Sequence, residues 1–592
     1  MSSQASNSVA TWRQLLRNFH LSAQGIDAAV PERALCPTTL AENQKLPELE
    51  AHFPLCLQPD GKIAPLRDLV QALPHASIIN SAFRIAMGDQ TCAALDEIAP
   101  AAVASLPELN PTDVSSLKKL LPEGSILIAF HAAAIPLLHA ATIVAERKPY
   151  RVQFREEVVH AIARLRELLA LDQSHAPGAV TAESVTASLG SGIRGFFDSS
   201  ILAGALRRAA NPLKRMEPAR RERCQATLRV LEEGLNDFST HPAFWLFCST
   251  DTLDGIEALG GAARQSADSF TTAIALCESA LAGLGQILRA LRVARLEMES
   301  AYDPAIHDEM LQRFDWQTAE PDELRALPAI IVLESAADVA RVSLTSFGRV
   351  LRSGSPIQIL VTTPGLSQSN LDEFQPDIAY LAISHRESFV LSSSLAEPSH
   401  LLPGMARMAK TLRPAVAVVS VPSEEIDDGD PWLETILLVR TRTMPLYSYD
   451  PDAGSKWSER FDLAADLQPA SELTPVDAAA VCAGLRHHFR LVPADAWDAE
   501  QLELAKYLEA YQNRPPRAIP FLWVQKDASG HERAAFTRTL ANFCIDRQRA
   551  WALFHELTEA GKSQPEPAVS PEAARQEGAN DAFQRVLALL SQ

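Results

Sequence analysis

Three short stretches constrain the fold of this chain more than anything else in it: Ala329-Ile330-Ile331-Val332-Leu333, Ile357-Gln358-Ile359-Leu360-Val361 and Ala415-Val416-Ala417-Val418-Val419. Each is apolar at nearly consecutive positions and rich in β-branched residues. A strand with one wet face alternates apolar and polar side chains, whereas a strand covered on both faces is free of that alternation. Runs of this kind, bounded by turn residues, read as parallel strands buried between helices. Asp338 to Leu351 separates the first two and is long enough for a crossover helix, and Leu401 to Leu412 precedes the third as another. The expectation is a parallel βαβ layer with helices on the sheet faces.

The flanking regions follow a helical period. Val158, Val159, Ile162, Leu165, Leu168 and Leu169 form an apolar stripe within Arg151 to Leu171, which ends at the breaker cluster Ser174 to Gly178. Further helical patterns run over 219–234 and 269–299, so the first 300 residues are expected to be mainly α. Residues 1–110 are punctuated by proline and suggest no independent module. Ser125 to Ala145 has no charged side chain over 21 positions, the length of a membrane span. His131, Pro136 and His139 lie near its middle, where lipid offers them no partner, so a buried strand at Ser125 to Phe130 and a core helix from near Pro136 are expected. The fold class is therefore α/β: a mainly helical region over 1–320, a central parallel-sheet domain over 321–460, an α-rich region over 461–560, and a linker with a short docking helix over 561–592.

Composition narrows the function. The 592 residues carry 54 Lys and Arg against 73 Asp and Glu, a formal charge of −19. That balance is opposite to what phosphate neutralisation needs, so neither nucleic acid nor an anionic membrane is an expected partner. Of the eight cysteines, no two stand closer than 20 positions. A zinc ribbon or iron–sulfur cluster takes thiolates from a local turn, so a self-contained cluster is not expected, and the thiols read as buried groups of a reducing compartment. The N-terminus has neither a basic nor an apolar leader region, and a cytoplasmic location is expected.

Several motifs offer chemistry alongside simpler readings. Gly190-Ser191-Gly192-Ile193-Arg194-Gly195 matches a dinucleotide fingerprint in letters, but no convincing strand precedes it, and it reads as a loop. Glu157 and His160 have the spacing of a di-iron helix, without the further ligands such a site requires. Glu397-Pro398-Ser399-His400 repeats the spacing across a proline, and His487-His488 point about 100° apart on a helix. His385-Arg386-Glu387-Ser388-Phe389, following an expected strand from Ile378 to Ile383, is the better candidate, because open α/β sheets bind ligands beyond the carboxyl ends of strands.

One family shares the order of these segments. Val350 to Val361 resembles the strand entering the diphosphate end of the thiamine-diphosphate domain in pyruvate:ferredoxin (2-oxoacid:acceptor) oxidoreductases. Leu412 to Pro422 is similar to that domain's final strand, and Arg442-Thr443-Met444-Pro445-Leu446-Tyr447-Ser448-Tyr449-Asp450-Pro451 to its Pro-Leu-Tyr-containing tail. The resemblance covers about 125 residues, Ala329 to Asp452. It implies a thiamine-diphosphate-type sheet and, in intact members, Mg²⁺ held by an Asp beside glycines and by a later Asn. Here Ser335-Ala336-Ala337 stands where Gly-Asp-Gly is expected, and Asp338 and Asn370 are the nearest candidates for the two ligands. The degraded motif implies that no cofactor is bound, thiamine diphosphate and Mg²⁺ entering only if Asp338 and Asn370 still serve. The implied role is a non-catalytic scaffold or partner subunit in an oxidoreductase-like assembly or homodimer. The alternatives are a redox subunit whose thiamine and iron–sulfur sites come from other chains, and a small-molecule binding protein.

Overall fold

The computed structural model describes residues 52–559 except 74–75, 89, 105–118, 175–180, 189–197, 210–214, 250–254, 365–376, 423–430, 465–473, 478–488, 490, 495–500, 512–515 and 528–529. The first described unit is a four-stranded antiparallel sheet, where a mainly helical region was expected. It comprises β1 (Leu55–Leu57), β2 (Ile63–Pro65), β3 (Cys92–Ala94) and β4 (Ile126–Ile128) in the order β2-β1-β4-β3. Helices α1 (Ala76–Met87) and α2 (Leu95–Ala104) cover one of its faces with Ile79, Phe83 and Ile98. The uncharged stretch at 125–145 divides as expected, into β4 and the start of α3 (Ala134–Ser174). The breaker at Ser174 ends α3, but this one helix of 41 residues replaces the two that the pattern suggested.

The three consecutive apolar runs are parallel neighbours or near neighbours in one sheet. Its strands are β5 (Phe244–Cys248), β6 (Ala262–Gln265), β7 (Ala329–Ser335), β8 (Ile357–Pro364), β9 (Phe389–Ser394), β10 (Ala415–Val421), β11 (Tyr447–Tyr449) and β12 (Phe461–Leu463). Their order is β12-β11-β9-β10-β8-β7-β5-β6. From β6 to β9 every pairing is parallel, and the tail segment closes that side as an antiparallel ribbon of β11 and β12. Strands β5 and β6 come from the region assigned to 1–320, so this sheet runs across the boundary drawn at residue 320.

Both faces of the sheet are covered. Against one lie the first three turns of α3 and helix α6 (Pro398–Lys410), which bury Ile135, Leu138, Leu401 and Met405 against Ile331, Leu360 and Leu391. Against the other lie α4 (Leu344–Ser353), α5 (Ile378–Ser384) and the first half of the helix over Ser269–Met298, burying Phe270, Phe347 and Ile378 against Val332, Ile359 and Val418. Consecutive apolar positions along each strand thus serve opposite faces. Gly404 lets α6 approach β9, since a Cβ there would stand 2.5 Å from Leu391 Cδ1.

The helix over Ser269–Met298 is long and apolar enough to cross a membrane. In this fold its first half packs on the sheet and its second half, with Leu284, Leu288 and Leu291, packs on α3 and the helix over Pro218–Thr240. Within that bundle the fully buried Glu297 carboxylate accepts from Arg220 Nε at 2.7 Å and Arg223 Nε at 2.6 Å, and the Arg223 guanidinium lies 3.9 Å from the Tyr302 ring centroid.

The C-terminal region, expected to be α-rich, combines its helices with a further sheet. Strands β13 (Val492–Pro493), β14 (Gln501–Glu503), β15 (Ile519–Asp527) and β16 (Gly530–Ala535) form a sheet in the order β13-β16-β15-β14. The helix over Arg538–Glu559 packs Leu540 and Cys544 against Leu522 and Val524. Residues 561–592 lie outside the described residues.

A buried polar seam joins α3, α6 and β8. Gln358, fully buried in the middle of an apolar strand, donates from Nε2 to the Met408 carbonyl at 3.0 Å and accepts from His139 Nε2 at 2.5 Å. Burial pushes the His139 imidazole down to about 4, so it is neutral with its proton on Nε2. Beside it Arg147 Nε donates to the Ala409 carbonyl at 3.1 Å, and Arg325 Nε to the Lys410 carbonyl at 3.2 Å. Three terminal carbonyls of α6, which no helical N–H can reach, are paired by side chains from three other segments.

Gln358→Leu fills the same space but leaves the His139 N–H and the Met408 carbonyl unpaired. We expect it to destabilise the protein by about 2–6 kcal/mol, at about 1–3 kcal/mol for each of the two orphaned buried groups. In urea unfolding, His139→Leu/Gln358→Leu should recover about 1 kcal/mol or more of the summed single costs, whereas strict additivity would show that the contact carries no coupling.

Candidate functional site

The carboxyl ends of the parallel strands are where an α/β sheet offers a ligand site, and Asp338 lies there. Strand β7 ends at Ser335, whose hydroxyl accepts from the Asp338 amide at 3.0 Å and donates to Asp338 Oδ2 at 2.7 Å. This is a serine cap with its returning carboxylate, and it begins the helix that carries the chain into the π-helical turn Val339–Ser343 and then α4. Asn370, the second expected ligand, lies outside the described residues.

One residue before the cap, Glu334 is buried and accepts from Ser249 Oγ at 2.6 Å and from Ser269 Oγ. Ser249 follows β5, and Ser269 starts the long core helix. Burial raises the Glu334 carboxyl above its ordinary 4.5; the two hydroxyls oppose that, and the carboxylates of Asp338 and Asp268 add to it. Asp268 caps the same long helix, accepting from Thr271 N at 3.0 Å, Thr271 Oγ1 at 2.6 Å and Ser346 Oγ at 3.0 Å. Burial works against its ionisation, yet the Thr271 and Ser346 hydrogen bonds, with Arg349 nearby, hold it below its ordinary value. The three acids therefore face hydroxyls and amides of their own chain.

The described residues of this edge do not form a Mg²⁺-diphosphate cradle. Such a cradle needs hard oxygen atoms turned outward and glycine backbone open to close approach. Here the Asp338 carboxylate is turned back on Ser335, the buried Ala336 stands where the carboxylate is expected, and Ser335 and Ala337 stand where the glycines are expected. Among the described residues no group of three His, Cys, Asp or Glu side chains is placed to hold a metal ion.

Further along the same edge the sequence conceals a second polar group. Strand β9 ends in Ser392, Ser393 and Ser394, all buried, and Ser393 Oγ lies 2.9 Å from His400 Nδ1 in the first turn of α6. A serine beside an imidazole is the arrangement of an activated nucleophile, but burial drives His400 down to about 4 and leaves it a poor base. Ser393 is itself fully buried, so the pair anchors α6 to β9. Glu397, three residues before His400, pairs instead with Arg440 Nη2 at 3.3 Å. The signal in sequence was Pro398, the first-turn proline that marks the start of a helix rather than a break in one.

The His385 loop is corrected in place. Ile378 to Ser384 is a helix, α5, and not a strand; Asp377 caps it by accepting from Tyr380 N at 3.0 Å. His385 to Ser388 therefore leads into the amino end of β9, at the edge opposite to Asp338. Glu157 accepts from Arg295 Nη2 at 2.7 Å, binding α3 to the long core helix, while His160 beside it is exposed. The Gly190–Gly195 motif and His487-His488 lie outside the described residues. Comparison of the sequence with protein-family models gives no match, and comparison with curated proteins gives none.

The raised Glu334 group has a defined pH signature. Because its folded-state value lies above its unfolded one, its contribution favours folding below pH 4.5 and is lost as pH rises through the folded value. Glu334→Gln removes that dependence. We expect the Tm difference between Glu334→Gln and wild type to move in favour of the variant from pH 4.5 upward, measured by thermal unfolding across pH; a constant difference would show that Glu334 ionises as it does in the unfolded chain.

Proposed function

We propose that this chain is a cofactor-free component of a pyruvate:ferredoxin oxidoreductase-like assembly, a scaffold or partner subunit in which a thiamine-diphosphate-type layer is kept for its shape. The observation that carries this reading is the Asp338 carboxylate folded into its own helix cap by Ser335, at the strand end where the related domains are expected to present a metal ligand. The parallel order of the sheet and its two covered faces support the thiamine-type layer, an architecture such domains share with other α/β folds. Glu334 and Asp268 are committed to internal hydroxyls in the same way.

Exposed apolar side chains support a partner role. Val342 is 76% exposed and Leu344 40% exposed, both immediately after the Asp338 cap and at the same edge of the sheet. Apolar groups in that position lower the free energy when a second chain covers them. A stable contact there buries about 1,000 Å² or more in total.

Anaerobic calorimetry of the full chain with thiamine diphosphate and Mg²⁺ should show no binding heat. Native purification should give a defined larger species, either a homodimer or a complex with chains that carry thiamine or iron–sulfur groups, and Val342→Asp should dissociate it. Tight cofactor binding that is lost in Asp338→Asn would overturn the cofactor-free reading. A strictly monomeric protein in native extract, unchanged by Val342→Asp, would overturn the partner role.

A further inference from the structure

The amino edge of the sheet holds a cleft of about 600 Å³ whose lining includes Leu351, Arg352, His385, Arg386, Arg413 and Pro414. It lies where α4 and α5 end and β10 begins. In a protein with a formal charge of −19, this cleft is lined by three arginines, His385 and a single acid, Glu387.

The simplest account of arginines at helix ends is that they pair with the last carbonyls. Here four of those carbonyls, one on α4 and three on α5, are taken by other groups. Ser353 Oγ donates to the Val350 carbonyl at 2.8 Å, and Ser384 Oγ to the Leu381 carbonyl at 2.6 Å. The His385 amide donates to Ala382 at 3.1 Å and the Arg386 amide to Ile383 at 2.8 Å. A second account is ion pairing within the chain, and it applies to Arg413 alone. Arg413 holds Asp452 with both Nε and Nη2, at 2.9 Å and 2.8 Å, and Glu387 at 2.5 Å. Arg352 and Arg386 make neither a side-chain hydrogen bond nor an ion pair among the described residues. His385 lies between their fields: burial first, then Arg352 and Arg386, hold its imidazole below the ordinary 6.5.

The loop is also held in shape. Arg386 sits at φ 68°, in the left-handed region, and its carbonyl accepts from the buried Tyr449 hydroxyl at 3.0 Å. A glycine would adopt that backbone at less cost, so an arginine there is retained against a local penalty.

We propose that this cleft binds a small phosphorylated molecule, with its phosphoryl group between the Arg352 and Arg386 guanidinium groups and its organic part against Leu351 and Pro414. Two unpaired guanidinium groups match the charge of a phosphate monoester, about −1.5 to −2, better than that of a single carboxylate. Each presents a planar fork suited to paired phosphate oxygens. The volume is in the range of small-molecule sites, about 300–1,000 Å³. This site is independent of the proposed function, which rests on the opposite edge of the sheet.

The test is calorimetry of the full chain with inorganic phosphate, a nucleoside monophosphate and a sugar monophosphate, each at fixed ionic strength against a chloride blank. We expect saturable binding of at least one of them, weakened about tenfold or more by Arg352→Gln and by Arg386→Gly. Arg386→Gly suits the φ 68° backbone, so its Tm should match or exceed that of the wild type and its loss of binding cannot be assigned to unfolding. Arg164→Gln, on an exposed part of α3, serves as the control and should bind as wild type does. Binding of inorganic phosphate alone would overturn the need for an organic part. Absence of saturable binding by all three, or equal binding by the Arg352 and Arg386 variants, would overturn the site.

Discussion

The end of helix α6 sets the condition that the rest of the fold has to meet. A helix terminus leaves carbonyl groups without partners, and burying them unpaired costs about 1–3 kcal/mol each. Met408 and Ala409 end α6 against the sheet, away from water, with Lys410 following at the surface, and the three carbonyls are paired by Gln358, Arg147 and Arg325. Those donors come from a central strand, a long helix and the segment leading into β7. The helix can dock at full strength only when all three are in place, so the seam ties the sheet's registration to the position of α3. His139 completes it: the proton on its Nε2 fixes the Gln358 amide with oxygen toward the imidazole and nitrogen toward α6.

The two edges of the sheet differ in how they settle their charge. At the carboxyl edge, acids are buried or half-buried and are met by serine and threonine hydroxyls of adjacent segments. Hydroxyls satisfy a carboxylate without neutralising it, which is why Glu334 rises while Asp268, with more donors and an arginine nearby, falls. At the amino edge the order is reversed: helix ends are capped by small polar groups, and the long cationic side chains are left over. Among the described residues, the acids of the carboxyl edge are met by their own chain, while two arginines of the amino edge are not.

How much of this could be read in advance depended on whether the determining contacts were local. The runs beginning at Ala329, Ile357 and Ala415 carry their burial in their own composition, and the parallel layer followed from them. Phe244-Trp245-Leu246-Phe247-Cys248 is equally apolar but aromatic and short, while Ala262-Ala263-Arg264-Gln265 has half of its residues facing water; neither announced itself as part of that layer. Ile378 to Ile383 is an apolar run of the length at which strand and helix cannot be told apart, and its cap at Asp377 was the local clue that decides the matter. At the site, Asp338 was legible because its turn is contiguous. Glu334 was not, since its partners Ser249 and Ser269 are 85 and 65 residues away in sequence. The cleft at Arg352 and Arg386 is half legible in sequence: the His385 loop stands out by its residues, but its edge of the sheet depends on whether Ile378 to Ile383 is strand or helix.

Helix α3 ties two of the hydrophobic cores together. At 1.5 Å per residue its 41 residues form a rod of about 60 Å. One end is built into the sheet's helical covering through Ile135 and Leu138, and the other into the bundle through Phe154, Val158 and Leu165. A cut within α3 parts its first half from the sheet it covers and leaves the apolar faces of both bare. Recombination within this region would have to move α3, its bundle partners and the parallel sheet together.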